Sequence, residues 1–397
     1  MPKKPNSHGD LQNYVPPGNG DASGEYADGE GSNIHYFDPE SFGKGKGETE
    51  PKKEEGHIEV SQGEPKGGNF SKYLETFKEA KGVTRDGLKG VYETGTEDAR
   101  GVIDALIADG YKITPIRGRD NFSGIGVELS RGTVAGESSR NNGEVFYHEF
   151  HHAADNWLAK DVTEEEYNEA LPSIIGTRKA MSIPGMLDAA LAKSHGSAII
   201  KTSNGKTLYQ TILDEVNRNK VAEVSKAYRE AQDAAWRDAV GMTLAEQTQK
   251  ENEVKKRISE QAKSEGFAEW TGPYWERVRQ LQDQDPEYKK LQEVWKKGRD
   301  AEREISKDWV SLSDTCEGGG GAAFYGGHGH SYWKSGMGRG TKLHRGAEFL
   351  AEYGSAYSRR NGSGKKELEL LRKYFPESSK AAEELCERAI KKSKGAK

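Results

Sequence analysis

Cysteine is nearly absent: two residues in 397, Cys316 and Cys386, far apart and in no metal-ligand spacing. That argues against a disulfide framework and reads both as incidental thiols. No hydrophobic run approaches membrane-spanning length, and no apolar core follows the opening MPKKPNSHGD. The expectation is a soluble protein, exported, if at all, by a route other than a cleaved signal peptide. An excess of positive charge is missing too: 59 Lys and Arg face 64 Asp and Glu, for a net charge of -5. With no global basic field, and no aromatic residues interleaved with the KK and RR clusters, a nucleic-acid partner is not expected. There is no internal repeat. Hydrophobic residues are scarce at 33%, charged ones reach 31%, and mean hydropathy is -0.91. A chain this polar does not form one compact domain throughout, so part of it should be extended, disordered or built from exposed helices.

The polar excess is unevenly placed. Residues 1–68 are rich in Gly, Pro, Ser and charge, with aperiodic apolar residues, and LQNYVPPGNGDASGEYADGEGSN buries too little to offset its ordering entropy. A disordered tail is expected there. Phe70, Tyr73, Leu74 and Phe77 fall at i, i+3, i+4 and i+7, an amphipathic helix. A second helix should run from a Thr96 N-cap to about Ala108, closed by Gly110. YKITPI reads as a strand, and GIGVELS, with Ile125, Val127 and Leu129 alternating, as a half-buried one. The helix EVFYHEFHHAADNWLAK completes a segment at 69–160. Residues 161–310 are expected to form a charged helical insertion, with short apolar stripes at Val221, Val224 and Tyr228 and at Tyr288, Leu291 and Trp295. Residues 311–397 return as the glycine-rich loop CEGGGGAAFYGGHGHSYWKSGMGRG and then helices.

The chemistry concentrates in HEFHH. His148 and His152 lie four apart, so on a helix both imidazoles leave one face and can bind one zinc ion. Glu149 stands about 100° round the helix, where a general base belongs in this HExxH arrangement. His151 should point elsewhere. Val145, Phe146, Ala153, Ala154 and Trp157 make one side apolar, and buried histidines need a partner that a metal supplies. A catalytic zinc needs a third protein ligand and an open position. The downstream segment GAEFLAEY suits that need. Glu348 is the candidate ligand and Glu352, one turn later, an acceptor that orients a histidine ring; Asp155 is a further candidate for that outer role.

HEFHHAADNW followed by GAEFLAEY resembles the anthrax lethal factor catalytic-domain family of gluzincin-type zinc metallopeptidases, and KYFPESSKAAEEL resembles its terminal helix more loosely. The resemblance implies an α+β, mainly helical zincin-like domain with a small sheet. It makes His148, His152 and Glu348 the zinc ligands and Glu149 the base. The helices here are much further apart in sequence than in that family, and Thr341 stands where the family carries a tyrosine. A donor to the oxyanion is therefore sought in the glycine-rich loop: Tyr332 first, with Tyr325 and His330 (beside His328) as alternatives. Residues 317–340 read as a lid.

The expected function is zinc-dependent endopeptidase: zinc-bound water, activated by Glu149, attacks a peptide carbonyl, with substrate adding as a strand to an edge formed by GIGVELS. The enzyme is expected to be a toxin effector or phage-associated, with virion or toxin-delivery partners beside the peptide substrate; the tail resembles low-complexity leaders of phage-encoded proteins but carries no function by itself. The compartment stays open between bacterial cytoplasm, virion and non-classical secretion. The alternative is a non-catalytic phage structural or interaction protein on the same scaffold. Retention of Glu149 beside the histidines argues against it.

Overall fold

The computed structural model describes residues 69–124, 126–135, 143–175, 192–318, 324 and 341–395. The expected tail over 1–68, Ile125, and the loop candidates Tyr325, His328, His330 and Tyr332 lie outside the described residues.

Helix α1 (Asn69–Thr76) buries Phe70 and Leu74, as the apolar spacing requires. Its Tyr73 hydroxyl accepts from Ile113 N at 2.8 Å and lies 3.1 Å from Ile113 O, fastening α1 to the first strand. Helix α2 (Arg85–Glu93), capped by Thr84, lies outside the elements the sequence announced. Helix α3 (Glu97–Ala108) starts where predicted: the Thr96 hydroxyl accepts from Ala99 N, and Gly110 follows at φ +96°.

Strands β1 (Lys112–Ile116), β2 (Asn121–Phe122) and β3 (Gly126–Ser130) form one sheet in the order β1-β3-β2. β3 runs parallel to β1, Lys112 opposite Gly126 through Ile116 opposite Ser130, and antiparallel to β2, with Phe122 opposite Val127. GIGVELS is therefore the central strand, not the expected edge. Asp120 explains the difference. Its carboxylate accepts from Ser130 N at 2.5 Å and Ser130 Oγ at 3.1 Å, turning the chain so that residues 121–122 cover the side of β3 that the pattern left open. The alternation itself holds for Val127 and Leu129, both fully buried.

A single turn at Arg131–Val134 precedes the histidine helix α4 (Glu144–Ala159). Helix α5 (Glu164–Ile175), a turn at Gly196–Ile199 and α6 (Leu208–Glu215, with a Thr207–Gln210 capping box) follow. Then come α7 (Arg218–Val240), α8 (Leu244–Ser264), α9 (Gly272–Gln284) and the 33-residue α10 (Pro286–Gly318). α7 packs along α10, where a Cβ on Gly298 would stand 2.4 Å from the Trp236 ring. The glutamate helix α11 (Thr341–Ser358), α12 (Lys365–Tyr374) and α13 (Pro376–Ser393) close the chain.

The fold is mainly helical with a small three-stranded sheet, and no described helix is long and apolar enough to cross a membrane. Two boundaries differ from the sequence reading. Cys316, Glu317 and Gly318 are the last turn of α10 rather than loop, since the Cys316 side chain is buried in the main core. Residues 161–310 are not one separate insertion either. Leu208, Ile212, Val216, Val224, Tyr228 and Trp309 belong to the main core, while a smaller core of Val254, Ile258, Ala262, Tyr274, Val278, Leu281 and Leu291 stands apart. The stripes were too short to show which core each one faces.

Candidate metal centre

α4 is covered almost all round, with Phe146, Tyr147, Phe150, Ala153 and Ala154 all buried. Its start is tight: Gly143 sits at φ +77°, and a Cβ there would stand 2.2 Å from Thr94 Oγ1. α11 runs antiparallel against it. Ser355 Oγ donates to Glu144 O at 2.6 Å, and further along α4 residues 148 and 152 meet 352 and 348. The helices approach closely because position 354 is glycine; a Cβ there would lie 2.3 Å from His151 Nδ1. His151 points away from the other histidines, as expected, and shares a 2.9 Å hydrogen bond with Ser358 Oγ. Burial pushes its pKa down to about 3, so it is a neutral packing group.

This antiparallel register brings three donor atoms together. His148 Nε2 and His152 Nε2 stand 3.1 Å apart, and Glu348 Oε2 lies 3.3 Å from the first and 3.4 Å from the second. Ligands held tetrahedrally about 2.0–2.1 Å from a zinc ion stand about 3.3 Å from one another. The triangle therefore fits zinc in both donor chemistry and size. Glu348 and His148 are buried, and His152 is the most exposed of the three.

The electrostatics of these groups favour positive charge at His148. Burial opposes charge on His148, yet Glu352, Glu348 and Glu149 outweigh it and raise its pKa well above the usual range. Glu352 Oε1 stands 3.5 Å from His148 Nδ1, the position from which a carboxylate sets the ring's tautomer. Glu149 is buried beside the triangle. Desolvation raises its pKa, the two histidines pull it back, and Glu348 and Asp120 add to the rise. Asp155 accepts from Ser197 N at 2.6 Å and Ser197 Oγ at 2.8 Å, so both its oxygens are used to hold the 196–199 turn. Burial raises its pKa, and His195, the bonds from Ser197 and His152 oppose that rise.

Sequence reading missed several residues here. Asp120 reaches the site's field from the β1–β2 connection. His195 and His344 bring their rings within 6.4 Å, His344 one turn ahead of Glu348 on α11. Ser311, Arg359 and Glu367 stand behind Glu352. A lone His in HGSAII or HRGAEF carries no local signal, and only the packing of the 196–199 turn against α11 brings the two together. Comparison with family models, curated proteins and solved structures finds no match for this chain. Recognition of the centre therefore comes from its donor atoms.

Proposed function

We propose that the protein is a zinc-dependent endopeptidase, with His148, His152 and Glu348 holding the metal and Glu149 acting as general base. The observation that carries the reading is the triangle of two imidazole nitrogens and one carboxylate oxygen, 3.1–3.4 Å on each side, with a buried glutamate next to one apex. Zinc, when bound, supplies Lewis acidity that lowers the pKa of water and polarises a peptide carbonyl.

The remaining work falls to the chain. Glu149 accepts a proton from water on a carboxylate oxygen and returns it to the departing amide nitrogen. Its environment suits both steps: burial makes it more basic than a surface glutamate, and the neighbouring histidines oppose that rise. Glu352 Oε1, 3.5 Å from His148 Nδ1, is placed to orient that ring with its Nε2 towards Glu348 and His152. An extended substrate needs a strand edge. The outer edge of β1 is engaged at Ile113 by Tyr73, so β2, which packs against α4, is the edge that supports strand addition.

Zinc content measured on purified wild type and Glu149→Ala, with cleavage of a diverse peptide library by both, tests the proposal. The expected result is about one zinc per chain in both proteins, and a cleavage rate lower by about 10²–10⁴-fold in the variant. Protein that binds no zinc, or a variant that cleaves as fast as wild type, overturns it. Zinc without turnover in either protein points to the non-catalytic scaffold.

A further inference from the structure

Two arginines stand at the ends of α11, and the protein matches one of them. Arg359, just past the C-terminal end, is buried and donates to Ser355 O, Ser363 Oγ and Glu367 Oε2 at 3.1, 3.2 and 2.9 Å. Arg345, in the second turn, is half-buried, and its Nε is closed off from water with no hydrogen-bond partner. Burial lowers its pKa, and among the described residues the group that opposes the shift is the buried Tyr209 rather than a carboxylate. The packing beside it is close: a Cβ on Gly346 would stand 3.1 Å from Tyr209 Cα. A guanidinium taken out of water without a counter-charge costs free energy, and so does a buried donor left without an acceptor.

The local sequence adds to that cost. α11 opens TKLHRGAE, so Lys342, His344 and Arg345 precede its first acid, Glu348. Cations near the start of a helix face the positive end of its dipole. Helix stability therefore gives no reason for an arginine at 345. Its position does. Arg345 stands three residues before Glu348, so their side chains start from neighbouring turns about 5–6 Å apart. An extended peptide advances about 3.3–3.6 Å per residue, so one lying across the metal triangle comes within reach of Arg345 in roughly three residues.

We propose that Arg345 is a specificity residue of the same site, and that its guanidinium receives a carboxylate of the peptide, carried by a Glu or Asp side chain or by a C-terminus. The planar fork of a guanidinium matches a carboxylate with two parallel N–H donors. The ligand, not the fold, supplies the counter-charge. Arg345 thus lowers the stability of the empty protein and is matched when peptide is bound, the trade expected of a residue kept for binding.

This role rests on the peptidase reading, and the experiment separates the two. Wild type, Arg345→Met and Arg345→Lys are compared without peptide by melting temperature. Their kcat/KM values are then measured on peptide pairs that differ as Glu against Gln at one position, or as free against amidated C-terminus. Arg345→Met is expected to melt above wild type, because methionine keeps an apolar stem and removes the unmatched charge. Wild type should favour the carboxylate member of one pair by about tenfold or more. Arg345→Met should lose that preference and Arg345→Lys keep part of it. A Glu-over-Gln preference assigns the carboxylate to a side chain, and a free-over-amide preference assigns it to the C-terminus. An Arg345→Met protein that melts at or below wild type, or does not fold, makes the residue structural and overturns the proposal. So does a wild type with neither preference, or a preference unchanged in Arg345→Met. If wild type cleaves none of the peptides, the peptidase reading falls, and binding of the same labelled pairs by fluorescence anisotropy decides the carboxylate site. A preference lost in Arg345→Met upholds it, and equal binding of both members overturns it.

Discussion

The interface of α4 with α11 and the outlying helices α8, α9 and the first half of α10 are both rich in charge, and they use it in opposite ways. Between α4 and α11 the ionisable groups are buried, converge on one another and are locked by neighbours, His148 with Glu348 and Glu352, and beside them Arg359 pairs with Glu367 of α12. In the outlying helices the charges face water in short pairs such as Lys256–Glu260 and Arg257–Asp285, around a small apolar core. Trp270, at φ +67°, and Trp275 stand exposed with their rings 5.6 Å apart. Charge on a surface keeps helices solvated at little cost. Charge in an interior has to be matched group by group, so a buried concentration of it marks a site.

Mutations in the two regions should therefore separate stability from metal affinity. The largest stability effect is expected in the outer core: Ile258→Ala should destabilise the protein by about 2–5 kcal/mol, read by denaturant titration, while zinc affinity in the folded protein stays put. A matching loss of zinc affinity would show that the two regions are coupled. Next comes Glu352→Gln, which should weaken zinc binding by about 10–100-fold, less than Glu348→Gln, in a chelator competition. Equal losses in the two variants would make Glu352 a ligand in its own right. Gly354→Ala forces a methyl group towards the His151 ring. It should cost about 1–3 kcal/mol and, unlike Ile258→Ala, lower zinc affinity as well by separating α4 from α11. The smallest effect belongs to the exposed pair: Lys256→Ala should shift stability by no more than about 0.5 kcal/mol and leave zinc binding unchanged.

Legibility from sequence followed the range of the interactions. The spacing of His148 and His152, the Thr96 cap and the alternation of Val127 and Leu129 are local periodicities, and each appears in the structure at its expected place. Glu348 could be picked out because two glutamates interrupt the apolar face of GAEFLAEY. The position of β3 could not. A central and an edge strand share the same alternation, and the two-residue strand Asn121–Phe122 is too short to announce itself. The cluster behind His148 was invisible for another reason: Glu144, Ser311, Glu352, Arg359 and Glu367 come from separate stretches, and each alone reads as an ordinary polar helix residue.

The sequence by itself determined which helix presents the histidines, which residue stands beside them as the candidate base and which glutamate is available to join them, because helical geometry converts spacing of three or four residues into a shared face. Only the tertiary structure decided that these atoms converge. That required α11 to lie antiparallel to α4 at a distance only a glycine at 354 permits, and it placed Ser311 between two carboxyls brought together from α11 and α12. The physical reason is that a buried polar group is satisfied by whatever packs against it, and the partners are set by the packing of whole elements rather than by neighbours in the chain.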